Sequence, residues 1–456
     1  MKLFTLTIAV FIFSLKVSAG DIVISTDTTI SGTWTIPSTT IVRFTTGGHI
    51  HGTGTINGGI IDAPYTQWIF DSSITVNPSG LYSRYFSAMW YGAMPSKSDN
   101  SYQIQTAITN CLNKWPLYIP AGEYKIYSPL YAYKIYLGKY VGCQIHIFGD
   151  ANMWSWDLGT RITQMSPTQP LFKLQLNKGI EINNITLTGQ WRSPNTPDSV
   201  YFNTTLSDYT DQSGKGVGSN HIGIVVDYDS NQDGSVSGST GVYIHDMTIQ
   251  NFATCITGSL NGTLNNDILN IKRIQIGDCQ RGIVSAQGQE KGNLIDGLYC
   301  WGSVHTLFSS GNDKNGQGGS YTITNLNVAG RVIRPFWINN NNWGLIHISN
   351  GFFEQIGTIG VLNAGQGLMV DNCTFDFAYP SQVGKMNLLT SNSNSVVFNN
   401  CYLRYFGQSD TLYMTGRASF VNCFSTGYIK NAAGYNFITY PLPGTPNKSS
   451  VRLSAK

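Results

Sequence analysis

The sequence predicts an all-β chain: a right-handed parallel β-helix with three strands per coil, 22–28 residues per coil, and an N-terminal capping helix. Three observations predict it. A polar-centred pair of short strands recurs at that period, a third alternating strand precedes each pair, and the composition is rich in turn formers and poor in charge. Of the 456 residues only 12% are charged, against a usual ~25%. The 49 glycines exceed the usual ~7% share. Asn, Ser, Thr and Gly take the polar positions that Lys, Glu and Arg fill on helix surfaces, which is a composition of strands and turns. It excludes a coiled coil, a collagen and a charged disordered tail.

The repeat reads apolar–x–Asn/Asp/Gly–apolar–x–apolar. It appears as Ile182-Asn183-Asn184-Ile185-Thr186-Leu187, as Ile244-His245-Asp246-Met247-Thr248-Ile249 and as Ile271-Lys272-Arg273-Ile274-Gln275-Ile276. Gly297, Asn325, Asn350, Asn372, Asn400 and Asn422 centre the later copies. From Asp246 onward the centres are spaced 27, 24, 28, 25, 22, 28 and 22 residues apart. The first gap, Asn184 to Asp246, is 62 residues; it has room for two turns of the repeat plus an insertion at Trp191–Asn220. Third strands read as Cys255–Thr257, Gly282–Val284, Thr306–Phe308, Phe336–Ile338, Gly360–Leu362, Asn387–Leu389 and Thr411–Tyr413. Leucine-rich repeats share the period but need a Leu framework, and propeller blades need ~40 residues. Between its two strands each polar residue is expected at a tight turn, hydrogen-bonded to its copies above and below.

Residues 1–19 read as a signal peptide. Lys2 is the charged start, Phe4–Leu15 the apolar stretch and Val17-Ser18-Ala19 the small-residue cleavage site. The expected location is therefore periplasmic or secreted. The apolar run is too short to span a bilayer, so no membrane insertion is expected. Without Lys2 and Lys16, 26 basic residues face 25 acidic ones, a balance that offers nucleic acid no footprint. Residues 20–89 form a strand-rich leader, 90–428 the β-helix and 429–456 a cap on its far end. Gly52–Gly59 in the leader is turn chemistry, because no helix and no Lys-Ser/Thr follow it. Cys373, Cys401 and Cys423 each follow an Asn of the repeat, so they are expected as stacked core thiols. Cys111 with Cys143 is the one pair to consider for a disulfide.

Ahead of the repeats, Trp90-Tyr91-Gly92-Ala93 is followed by Ser98-Asp99-Asn100 and a short helix with Ile104, Ala107, Ile108, Cys111 and Leu112 on one face. Leu117-Tyr118-Ile119-Pro120-Ala121-Gly122-Glu123-Tyr124-Lys125-Ile126 comes next, then Ile145–Asp150. An amphipathic helix here covers apolar core that an open solenoid end exposes. This run resembles the entry motif of the pectate-lyase-like β-helix superfamily, and with the repeats the resemblance covers about residues 86–428. It implies the fold. It leaves activity open among polysaccharide lyases, glycoside hydrolases and viral tailspikes, of which the signal peptide disfavours the last.

The third-strand face is the expected floor of a groove for an extended glycan, and the candidate chemistry borders it. Glu290 and Asp313 stand 23 residues apart, about one coil, each followed by a lysine, Lys291 and Lys314. Two carboxylates ~5 Å apart suit a retaining glycosidase and ~6.5–9.5 Å an inverting one; otherwise these are two solvated turns. Glu354, on the opposite border, is a third acid/base candidate. Arg281, His305, Arg331 and Arg334 enter the same face, with Trp337 beside them. A lyase needs a base and a cation to neutralise a uronate carboxylate, and His305 or Arg334 can serve. Asp229-Ser230-Asn231-Gln232-Asp233-Gly234, with Asp227 before it, has oxygen ligands at alternate positions ahead of a Gly turn. It reads either as a Ca²⁺ loop held by Asp227, Asp229, Asn231 and Asp233 or as an Asx-rich turn. His49 and His51 share a strand face without a visible third metal ligand. Trp191, Tyr201, Phe202 and Tyr209 lie in the long insertion, where aromatic faces suit sugar rings.

These observations order three readings. The first is an exported glycoside hydrolase using a carboxylate pair on a polysaccharide. The second is a polysaccharide lyase acting on an acidic polymer by β-elimination. The third is a non-catalytic glycan-binding solenoid. No organic cofactor is expected.

Overall fold

The structure, a computed structural model, describes residues 20–151, 158–191, 220–227, 237–258, 265–285, 290–310, 319–340, 345–364, 367–377, 386–390, 396–405, 411–415, 418–426, 428–431 and 451–453. It is an all-β parallel β-helix. Each coil contributes to three parallel sheets, here sheets 1, 2 and 3 in the order the chain enters them. Sheet 1 contains the third strands: Ile224, Ile256, Ile283, Phe308, Phe336 and Gly360 pair in register on consecutive coils. In sheet 2 the sequence Ile147, Ile182, Ile244, Ile271, Ile295, Ile323 and Ile348 stacks one isoleucine on the next. Sheet 3 stacks Leu187, Ile249, Ile276, Cys300 and Val328 in the same manner. All these stacks but Gly360 point into a single buried core, because alternate residues of a strand face the same way.

The residue between sheets 2 and 3 is left-handed in every copy. The angle φ is 55° at Asn184, 53° at Asp246, 49° at Arg273, 73° at Gly297, 56° at Asn325, 54° at Asn350, 54° at Asn372, 52° at Asn400 and 51° at Asn422. Gly reaches this region freely and Asn or Asp with local help, which is the physical origin of the repeat's polar centre. Asn325, Asn350, Asn372, Asn400 and Asn422 are solvent-exposed. Of the expected amide ladder, Asn372 Nδ2 donates to Asn350 Oδ1 at 2.8 Å, whereas Asn325 Nδ2 donates to Asp296. Backbone geometry, more than a buried amide ladder, selects Asn here.

The 62-residue gap holds one coil. Lys178–Asn183 pairs directly with Thr240–His245, and Thr186–Thr188 with Thr248–Gln250. The excess length lies in segments that include residues 192–219 and 228–236, outside the described residues.

The leader is also built of parallel coils. Ile22 pairs with Val42, Asp27 with His49, Trp34 with Ile56 and Ile56 with Val76, and its apolar side chains share the common core. Helix α1, Ser101–Cys111, buries Ile104, Ala107, Ile108 and Cys111. It is tied on both sides: Asn110 Oδ1 accepts from Val76 N of the leader at 3.0 Å, and Gln105 Oε1 from Tyr131 N at 2.6 Å. At the other end Val451–Leu453 pairs antiparallel with Cys423–Ser425 and covers a sheet edge. All eight cysteines are free and buried. Cys111 and Cys143 form no disulfide, and the Cys401 amide meets the Cys423 sulfur at 3.4 Å, as stacked thiols do. Among the described residues no helix is long and apolar enough to cross a membrane.

Candidate functional site

Sheet 1 brings together the predicted Arg281, His305, Arg334 and Trp337. Thr254, Arg281, Thr306 and Arg334 pair in register on four successive coils, so residues 25–28 apart in sequence become neighbours one strand spacing apart. Arg334 Nε donates to Thr306 Oγ1 at 2.9 Å. The same hydroxyl meets His305 Nδ1 at 3.1 Å. The Arg334 guanidinium stacks over the Trp337 indole, 4.2 Å from the ring centroid, a planar cation on an aromatic face. Arg334 is fully buried, and Arg281 and His305 nearly so. Burial, then the positive charges of Arg334 and Arg281, hold the His305 pKa well below the ordinary imidazole range. The same burial and charges that keep His305 neutral also oppose its taking up a proton. Sequence reading missed Thr306, which joins His305 to Arg334. Its signal was register: Thr306 stands 28 residues before Arg334.

The outward row of sheet 1 was expected to be open, and it is covered. Val225, Thr257, Val284, Ser309, Trp337 and Val361 are each at most 9% exposed. Arg331, at the start of its strand, is exposed and stacks on Ser303 rather than joining the buried row.

The predicted acids separate. Glu290 opens a strand of sheet 2, its backbone paired with Gly319, so it sits where the chain has already left sheet 1. Asp313 and Lys314 lie outside the described residues, as do the side chains of Glu290 and Lys291. Glu354 sits at the end of sheet 3, in the field of the Arg404 guanidinium, which Asp376 binds at 2.7 Å. The strand Gly360–Ala364 that follows spans roughly 16 Å at 3.3 Å per residue. Glu354 and the Glu290 backbone thus border opposite sides of sheet 1.

Asp227 is held by protein donors. Its buried carboxylate accepts from Leu176 N at 3.0 Å, Ser239 N at 2.6 Å and Ser239 Oγ at 2.7 Å. These contacts tie three chain segments together and engage both oxygens. Asp229, Asn231 and Asp233 lie outside the described residues, as do Tyr201, Phe202 and Tyr209. His49 and His51 stack with 6.0 Å between ring centroids in an open cleft lined also by Asp27, Gln67, Trp68 and Asp71. Each imidazole meets its own partner: His49 Nε2 lies 3.4 Å from Asp71, and His51 Nε2 2.9 Å from Thr29 Oγ1.

No family model matches the sequence, and no curated protein matches it. Among solved structures the chain is similar to the Agl-KA catalytic domain, at 14% identity and a TM-score of 0.37 over 76% of this chain and 67% of that one. It is similar to DFA-IIIase from Arthrobacter chlorophenolicus A6 without its lid, at 11% identity and a TM-score of 0.39 over 75% and 88%. A third is the family 28 exopolygalacturonase of Yersinia enterocolitica, at 14% identity and a TM-score of 0.28 over 75% and 77%. Likeness this distant does not speak to chemistry; the architecture rests on the strand registers.

Proposed function

We propose that this chain is an exported enzyme that cleaves glycosidic bonds in an acidic polysaccharide. The observation that carries the reading is the row on sheet 1: Arg281, Thr306 and Arg334 in register on consecutive coils, with His305 beside Thr306 and Trp337 against Arg334. A guanidinium suits the carboxylate of a uronic acid; Arg331, at the start of that strand, is exposed, whereas Arg281, Arg334 and Trp337 are buried. Cleavage by hydrolysis assigns the acid and base to Glu290 and Asp313, at the loops bordering that row, with Glu354 acting apart from them. A calcium ion held by Asp229, Asn231 and Asp233 belongs to this proposal without Asp227. One observation favours the second reading, a lyase. His305 is a neutral imidazole between arginines, the pairing of base and neutraliser that β-elimination requires.

A panel of acidic and neutral polysaccharides, assayed for reducing ends and for ultraviolet absorbance of unsaturated products, tests both. Hydrolysis gives reducing ends alone, and elimination gives both signals. Binding without either signal supports a non-catalytic glycan-binding solenoid and refutes the enzyme reading.

A further inference from the structure

The open cleft of the leader is a built feature that the chemistry of sheet 1 does not use. Asp27, His49, His51, Gln67, Trp68 and Asp71 line a space of about 440 Å³, within the ~300–1,000 Å³ of small-molecule sites. Parallel coils fix the lining, because Asp27 pairs in register with His49, and Thr29 with His51. Gly47 and Gly48 complete it without side chains. Gly47 is left-handed at φ 86°, and a Cβ at Gly48 would stand 2.0 Å from Ile24 O, so backbone geometry keeps that side of the cleft open.

The lining offers hydrogen-bond acceptors. Gln67 Nε2 donates to Thr45 O at 2.8 Å and to Gly48 O at 3.0 Å, which leaves its Oε1 to accept. The Asp27 side chain is 77% exposed, 3.7 Å from His49 Nδ1. Asp71 Oδ1 lies 3.4 Å from His49 Nε2, and Asp71 Oδ2 accepts from Gly52 N at a long 3.4 Å. The approach to His49 is out of line, since its buried Nε2 has no hydrogen-bond partner among the described residues. Neither carboxylate has the short protein donors that hold Asp227 at 2.6–3.0 Å. Burial outweighs the pull of Asp71 and Asp27 and lowers the His49 pKa, so an imidazolium does not offset their charge near pH 7. Trp68 supplies the apolar surface. It is 41% exposed, yet fixed in orientation: its Nε1 donates to Phe70 O at 2.7 Å, and the His49 ring packs against it with 4.7 Å between centroids.

We propose that this cleft binds a residue of a neutral glycan, its ring against the Trp68 indole and its hydroxyls donating to Asp27, Asp71 and Gln67 Oε1. No three His, Cys, Asp or Glu among the described residues enclose a metal ion, which leaves hydrogen bonding and stacking as the chemistry of the cleft. A sugar hydroxyl donates to a carboxylate in a charge-assisted bond. The held indole offers the apolar face of a pyranose a flat surface, with little ordering left to be done on binding. Lys97 Nζ stands over the ring, 5.3 Å from its centroid, and its long stem lets it swing aside. One ammonium does not outweigh two carboxylates, so a uronate is disfavoured by like charge. The ligand therefore differs in charge from the acidic polymer assigned to sheet 1, and the assignment stands whether or not sheet 1 cleaves a glycan.

The experiment is calorimetric titration of the full chain with neutral oligosaccharides of glucose, mannose, galactose, xylose and N-acetylglucosamine, with oligogalacturonate as the anionic arm. At least one neutral oligomer should bind. Trp68→Ala and Asp71→Asn should each lower its affinity at least ~10-fold, whereas Arg331→Ala, on sheet 1, should leave it unchanged. Oligogalacturonate should not displace the neutral oligomer, and any binding of its own should survive Trp68→Ala. Absence of binding by every neutral oligomer overturns the site. Full affinity in both cleft variants, or a loss confined to Arg331→Ala, places the ligand elsewhere and overturns it as well. Displacement by oligogalacturonate overturns the neutral class. Should Trp68→Ala not fold, Asp27→Asn, at an exposed position, joins Asp71→Asn in deciding between the same outcomes.

Discussion

Replacing Asn372 by leucine tests why the repeat is centred on asparagine. Asn372 has φ 54°, its amide N donates to Asn399 O at 2.9 Å, and its side chain makes one exposed bond to Asn350. A leucine keeps the backbone bond but has no local polar help in the left-handed region, which costs about 1–2 kcal/mol. It also loses the side-chain bond, worth ~0.5–1.5 kcal/mol. The expected destabilisation is ~2–3 kcal/mol. Asn372→Gly loses the same bond without the left-handed cost, and should lie ~1–2 kcal/mol above the leucine variant. Urea unfolding followed by circular dichroism reads the difference, provided the slopes agree. Equal destabilisation of the two variants would refute the backbone explanation and restore the amide ladder. Wild-type stability in Asn372→Leu would refute both.

Other tests follow from particular contacts. Asp227→Ala strands the buried Leu176 and Ser239 donors and should cost ~2–4 kcal/mol in urea unfolding, while chelator sensitivity stays that of wild type; loss of that sensitivity would return Asp227 to the calcium loop. Because the folded His305 pKa lies well below 6.5, stability should be full above about pH 6.5 and fall as pH drops, since the unfolded imidazole takes up a proton that the folded one refuses. His49 and His221 are shifted the same way, chiefly by burial, and His305→Gln should flatten the slope. On an acidic polysaccharide that the wild type cleaves, Glu290→Gln or Asp313→Asn should lower turnover at least ~10²-fold with an unchanged melting temperature. Full activity in both variants, with His305→Gln inactive but folded, selects the lyase instead. A thiol reagent should leave all eight buried cysteines untouched until urea unfolds the chain.

Most of the fold was legible because the period is short and each coil repeats the same demand. One left-handed residue joins two strands, so an Asn, Asp or Gly at eight of the nine centres marks a turn, and Arg273 alone departs from that set. Alternation around each centre then fixes which residues stack in the core. Helix α1 was legible from its apolar face, although that face does not show that Asn110 also bonds the leader. The candidate site was only half legible. Arg281, His305 and Arg334 were found together because they belong to one strand set, but their burial depends on what covers sheet 1, which alternation does not report. Asp227 misled for the opposite reason. It opens an acidic run that reads as a cation loop, while its partners Leu176 and Ser239 are 51 and 12 residues away.

Register decides what a solenoid hides. Neighbours in space are one coil apart in the chain, so a miscounted coil displaces every neighbour. The 62-residue gap between Asn184 and Asp246 has room for two turns of the repeat plus an insertion, a count that moves Glu181 and Asn183 away from Tyr243 and His245. Counted as one coil, the same sequence sets Asn183 beside His245 and Glu181 beside Tyr243. His146 is then one coil on the other side of Glu181. Three polar side chains 35 and 64 residues apart, at positions 146, 181 and 245, then converge on the Asn183 amide nitrogen without any local motif to announce them. An insertion within a coil lengthens a connection and leaves the stack unchanged, because strand pairing needs only the strands. A long gap in a repeat is therefore better tested as one coil first, by asking which pairs of polar residues that choice would place face to face.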